Sequence, residues 1–105
     1  MNIFLNKKIL IYGLGKSGLA AFKFLKKKNR VFLFDDFQIK FRDQDIKKKL
    51  INKKEIKKID FDKIIISPGI NIYNCKLSKF LLNNKNKIYS DLDVFFSFYK
   101  NNCIT

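Results

Sequence analysis

Apolar residues fall along this chain in short dense runs separated by lysine-rich stretches, and the period of each run predicts its element. Ile9-Leu10-Ile11-Tyr12, Val31-Phe32-Leu33-Phe34 and Ile64-Ile65-Ile66 are unbroken, as expected of strands covered on both faces. Between the first two, Leu19, Ala21, Phe22 and Leu25 recur at helical spacing with Lys23, Lys26 and Lys27 opposite them. This predicts an amphipathic helix from Ser17 to Lys28, its cations gathered near its negative end. Asp43 to Leu50 predicts a short helix, and Lys53 to Ile59 a short additional strand. Asn74 to Leu82 predicts a helix with Leu77, Phe80 and Leu81 on one face, and Ile88-Tyr89 a short final strand. Ser90-Asp91-Leu92-Asp93 has the spacing of a capping box with Asp in place of Glu, opening an aromatic, mostly core helix from Val94 to Tyr99. Strands alternating with helices predict an α/β fold: a Rossmann-like, doubly wound parallel sheet of about five strands with helices on both faces.

The junctions carry the candidate chemistry. Between the first strand and the first helix stands Gly13-Leu14-Gly15-Lys16-Ser17-Gly18, and the next strand ends on Asp35-Asp36. In such a unit Gly13 turns the chain sharply, Gly15 lets backbone approach a phosphate with no Cβ in the way, and Gly18 lets helix and strand pack closely. The unpaired N–H groups of the helix's first turn then converge, and with the helix dipole they favour an anion by roughly 0.3–2 kcal/mol per charge. An acid after the second strand faces the ribose of a bound nucleotide, or serves only as a turn former; the pair here would repel a 2'-phosphate and argues against NADP. Gly15-Lys16-Ser17 is not the end of an ATP-type phosphate loop, because that motif needs glycine where Leu10 stands. Ser67-Pro68-Gly69 makes a sharp turn after the isoleucine strand. The glycine turn, Asp35-Asp36, Ser67-Pro68-Gly69 and Ser90-Asp91 all follow strands, so all are expected in one cleft at the carboxyl edge of the sheet.

Composition narrows the rest. At 105 residues, 47% hydrophobic and 30% charged, the chain has the length and composition of one globular domain. No apolar run approaches the roughly 18 residues that cross a bilayer, and no signal peptide opens the chain, so a cytoplasmic protein without a membrane partner is expected. There is no histidine, and Cys75 and Cys103 lack metal-ligand spacing. Histidine-based catalysis is thereby excluded, no metal site is expected, and both cysteines read as free thiols. The net charge of +14 suggests nucleic acid, but the lysines are dispersed and more than half the chain is Lys, Ile, Asn or Phe, whose codons are A- and T-rich. Base composition accounts for the charge, and no nucleic-acid partner is expected.

Taken together and in order, the glycine turn, Asp35-Asp36, Ile66-Ser67-Pro68-Gly69-Ile70 and Ser90-Asp91-Leu92-Asp93-Val94-Phe95 resemble the N-terminal domain of the Mur ligases of peptidoglycan synthesis, over nearly the whole chain. The likeness is to the D-glutamate-adding members, since the alanine-adding ones have a longer turn ending in Met-Ser-Gly. The resemblance implies a monomeric enzyme that forms an amide bond at the expense of ATP, through an acyl phosphate attacked by the amine of D-glutamate. It implies that residues 1–105 are the domain gripping UDP-N-acetylmuramoyl-L-alanine, binding no cofactor itself. ATP and magnesium would belong to domains beyond it, so this chain alone would be inactive. By motif, Lys16 and Ser17, with Gly13, Gly15 and Gly18, would lie against the diphosphate, Asp35 and Asp36 near the uridine, and Ser67, Pro68 and Gly69 along the uridine and sugar. Phe37 stands where many members carry a polar or basic residue. Asn101 to Thr105 would open a strand leading to the ATP loop.

Two other readings stand beside this one. An NAD-binding domain of a dehydrogenase or regulatory module fits the turn and Asp35 equally, without accounting for Ser67-Pro68-Gly69 followed by Ser90-Asp91. A basic interaction domain that has lost its ligand is the third.

Overall fold

A computed structural model describes residues 6–36, 42–90 and 92–96. Four parallel strands form one sheet: β1 (Lys8–Tyr12), β2 (Arg30–Phe34), β3 (Lys63–Ile66) and β4 (Ile88–Ser90), in the order β2-β1-β3-β4. Between them run α1 (Lys16–Leu25), α2 (Gln44–Lys49), α3 (Lys53–Lys58) and α4 (Ser78–Asn83), and α5 (92–96) follows β4. Leu10 lies opposite both Phe32 and Ile64, so β1 is enclosed by paired neighbours and its unbroken apolar run is explained.

Side chains alternate across the sheet and divide the core in two. Ile9, Ile11, Val31, Leu33 and Ile65 pack with Ala21, Phe22 and Leu25 of α1, Ile46 of α2 and Val94 of α5. On the other face Leu10, Tyr12, Ile64 and Ile66 pack with Ile56 of α3, Phe61, and Leu77 and Leu81 at α4. The expected arrangement, a doubly wound parallel sheet with helices on both faces, is the one observed.

Several expectations need correction. Lys53 to Ile59 is not a strand, so the sheet has four strands among the described residues rather than five. Asn52 and Glu55 form a capping box, with Oδ1 of Asn52 accepting the Glu55 N–H at 2.8 Å and Oε1 of Glu55 accepting the Asn52 N–H at 3.2 Å. That reciprocal cap starts a helix, and Ile56 is its buried anchor. The outer edge of β2 is met instead by a single parallel bridge from Leu50 to Leu33.

Two helices are also shorter than expected. α1 ends at Leu25 rather than Lys28, because the Asn29 amide takes the Leu25 carbonyl at 3.0 Å while its oxygen accepts the Lys7 N–H. α4 starts at Ser78 rather than Asn74, after turns closed by Asn74 N–H to Asn71 O and Ser78 N–H to Cys75 O. The predicted continuation of α5 to Tyr99 and the strand after Asn101 lie outside the described residues. No helix among the described residues is long and apolar enough to cross a membrane.

Candidate functional site

The chain leaves β1 towards β2 on one side and returns to β3 on the other, so the strand order reverses between β1 and β3. Open α/β sheets bind ligands in the crevice outside the carboxyl ends at such a point. Gly13 and Ser67, which follow these two strands, meet there: Oγ of Ser67 donates to the Gly13 carbonyl at 3.1 Å, and the Ser67 N–H donates to the Tyr12 carbonyl at 3.1 Å.

The three glycines have different physical reasons. Gly13 sits at φ +97°, and a Cβ there would stand 2.6 Å from Ser67 Oγ and 2.8 Å from Ile70 Cδ1. Both torsion and space require glycine. A Cβ on Gly18 would stand 2.0 Å from the Gly13 carbonyl oxygen, so Gly18 lets α1 lie against the turn. Gly15 is exposed, at φ −78° and ψ −166°, and a Cβ there would meet nothing within 4 Å. Neither packing nor torsion asks for glycine at this position.

Gly15 is also the N-cap of α1, with no side-chain capping bond and no acid in the first turn. The opening N–H groups of a helix have no intrahelical partner, so those around Lys16 and Ser17 remain as donors at the positive end of the ten-residue helix. Lys16 is exposed and Ser17 half-buried, which leaves an ammonium and a hydroxyl at the same place. The arrangement can take an anion approaching over Gly15.

The acid pair stands beside the turn and is built into it. Oδ2 of Asp35 accepts the Leu14 N–H at 2.6 Å, while the Gly13 N–H donates to the Phe34 carbonyl at 2.9 Å. Oδ1 of Asp36 accepts the hydroxyl of Tyr12, and Nζ of Lys76 donates to the Asp36 carbonyl at 2.6 Å. Burial, and then the bond to Asp36 and the neighbouring Cys75, push the Tyr12 phenol well above its ordinary range. Tyr12 and Lys76 were not among the residues singled out from sequence. Tyr12 left a signal, as the polar-tipped member of an otherwise aliphatic strand; Lys76 left none among so many lysines.

Ser67, Pro68 and Gly69 form a turn closed by the Ile70 N–H on the Ser67 carbonyl at 3.1 Å, with Pro68 and Gly69 exposed. Ser90 is engaged in the expected cap: Oδ2 of Asp93 accepts the Ser90 N–H at 2.9 Å and Oγ of Ser90 accepts the Asp93 N–H at 3.2 Å. Asp91 and Phe37 lie outside the described residues. Among the described residues no cluster of three or more His, Cys, Asp or Glu could hold a metal ion.

A groove of about 590 Å³ opens at the opposite edge, where Lys7, Lys8, Lys27, Lys28, Arg30 and Lys49 line it together with Asp62. These residues stand at the amino ends of β1 and β2, just beyond the C-terminal end of α1 and, for Lys49, at the end of α2, far from the glycine turn. Cations are favourable at a helix C-terminus, and Lys27 and Lys28 stand just beyond that of α1, as its sequence pattern predicts.

Residues 7–88 match the family described as Mur ligase MurD-like, N-terminal domain. Three curated relatives are UDP-N-acetylmuramoylalanine--D-glutamate ligases of Rickettsia. That of Rickettsia prowazekii (strain Madrid E) is 33% identical over 96% of this chain and 23% of its own length. That of Rickettsia bellii (strain RML369-C) is 32% identical over 91% of this chain and 22% of its own, and that of Rickettsia felis (strain ATCC VR-1525 / URRWXCal2) 32% over 96% and 23%. The chain thus spans less than a quarter of the length of the curated relatives it matches. No solved structure matches it. The match over residues 7–88, joined to a glycine turn and a parallel sheet of the expected order, establishes that the chain belongs to the Mur ligases, as a MurD-like N-terminal domain.

Proposed function

We propose that this chain binds the UDP moiety of UDP-N-acetylmuramoyl-L-alanine and presents the substrate to an ATP-dependent, ADP-forming ligase that adds D-glutamate in peptidoglycan synthesis. The observation that carries the reading is Gly15: an exposed glycine with open space at its Cβ position, in front of an uncapped helix N-terminus at the β1/β3 switch point. A diphosphate placed there would accept hydrogen bonds from the first N–H groups of α1 and from the Ser17 hydroxyl, with the Lys16 ammonium offsetting its charge. Charge-assisted bonds of this kind are worth about 1.5–3 kcal/mol each.

Asp35 and Asp36 would face the nucleoside. Oδ2 of Asp35 holds the Leu14 N–H and Oδ1 of Asp36 the Tyr12 hydroxyl, and a carboxylate offers about four acceptor sites in all, so Asp36 in particular would accept from ribose hydroxyls. Ser67, Pro68 and Gly69 would border the sugar side. In this reading ATP and magnesium act on the alanyl carboxylate from parts of the longer, cytoplasmic and monomeric enzyme, and this chain alone contributes binding and orientation without turnover. It binds no cofactor and no nucleic acid of its own.

Calorimetric titration of the chain with UDP-N-acetylmuramoyl-L-alanine, with NAD in parallel, tests this. Saturable binding of the UDP-sugar alone is expected; binding of NAD alone would replace the reading with a dinucleotide module.

A further inference from the structure

Tyr12 is the one residue of β1 whose side chain has chemistry to offer the carboxyl edge. Its ring is fully buried, packed in the α3/α4 half of the core with its centroid 5.6 Å from that of Phe34. An aliphatic residue would serve that packing as well as Ile9, Leu10 and Ile11 do in the rest of the strand. The hydroxyl, however, donates to Oδ1 of Asp36, across 24 positions of sequence. The segment leading into α4 reaches the same residue, through Lys76 Nζ on the Asp36 carbonyl at 2.6 Å, with Cys75 beside the phenol.

Asp36 is therefore held at its side chain by the central strand and at its backbone by a segment 40 positions away. A carboxylate just past a strand end ordinarily rotates freely about χ1 and χ2. Here one rotamer is selected by a buried donor, which leaves the remaining lone pairs pointing in a fixed direction. A phenol is protonated near neutral pH, and burial and the bond to Asp36 push Tyr12 higher still, so that donor is present there.

We propose that Tyr12 is a positioning residue, which acts through Asp36 to aim its carboxylate at the nucleoside end of the ligand, with Lys76 fixing the backbone of the same residue. The inference rests on the UDP-binding reading of the cleft. Pre-orienting an acceptor removes the ordering cost that a mobile side chain adds to binding.

A double-mutant cycle on the 105-residue chain tests it, using Tyr12→Phe, Asp36→Asn and the two combined, with UDP affinity as the readout. Tyr12→Phe keeps the ring and removes only the hydroxyl. It should weaken UDP by about five- to tenfold, and the double variant should bind no worse than Asp36→Asn alone, because the two residues act as one unit. Losses that multiply in the double variant, or unchanged affinity in Tyr12→Phe, would overturn the positioning role while leaving the UDP site intact. A wild-type chain that does not take up UDP at all would instead remove the nucleotide reading, and this inference with it.

Discussion

A Cβ on Gly18 would stand 2.0 Å from the carbonyl oxygen of Gly13, so the start of α1 and the end of β1 are in backbone contact at the ligand turn. Alanine in a helix interior is ordinarily better than glycine by about 1 kcal/mol. Here the clash is with backbone and cannot be relieved by a rotamer change. Gly18→Ala should therefore destabilise the chain by about 2–4 kcal/mol, the range of strained, overpacked sites, as read by urea denaturation. A stabilised variant would show that α1 does not lie against the turn.

Gly15 predicts the opposite split. Its extended backbone suits any L-residue and its Cβ position is open. Gly15→Val should change stability by no more than about 1 kcal/mol, since only a weak cap is altered. UDP-sugar binding should be lost, because the isopropyl group would occupy the space assigned to the diphosphate. Calorimetry decides: unchanged affinity in a folded Gly15→Val chain would move the site away from this turn.

Asp35 serves the turn in any case, since Leu14 is buried and its N–H has the Asp35 carboxylate as acceptor. Asp35→Ala should cost about 1–3 kcal/mol of stability, the usual penalty for orphaning a buried donor. If the carboxylate also meets the ribose, UDP affinity should fall by a further 1–3 kcal/mol, roughly the scale of a charged hydrogen bond, when measured on the folded fraction. Lost stability with unchanged affinity would make Asp35 a turn former alone.

These sites differ in how far the residue string reveals them. The strands were legible because a strand covered on both faces has no polar positions to spare, and Ile9 to Tyr12 and Ile64 to Ile66 have none outside the Tyr12 hydroxyl. Gly13 and Gly18 were legible from spacing, since backbone demands recur wherever a strand turns into a helix. The Asn52/Glu55 cap was also present in the string, yet the isoleucines on either side resembled a strand more than a two-turn helix with one buried residue. The engagement of Asp36 was not legible. Its partners, Tyr12 and Lys76, come from 24 and 40 positions away, and such pairings appear only once the sheet order is known.

The last prediction concerns alkaline stability. Tyr12 has an ordinary pKa of 10.0 when unfolded and a markedly raised one when folded, through burial first and the bond to Asp36 second. Below pH 10 both states hold the proton, so stability is independent of this group. Above pH 10 the unfolded chain releases the proton and the folded chain keeps it. Unfolding is then favoured increasingly, by about 1.4 kcal/mol per pH unit, until the folded pKa is reached. The lysines add their own background in this range, which is common to wild type and variant. Tyr12→Phe should accordingly lose a small amount of stability at neutral pH, and its disadvantage should shrink and reverse as pH rises above 10. Denaturation midpoints of the two chains at several alkaline pH values check this: parallel curves would mean that Tyr12 ionises freely and that its hydroxyl is not held at the edge of the sheet.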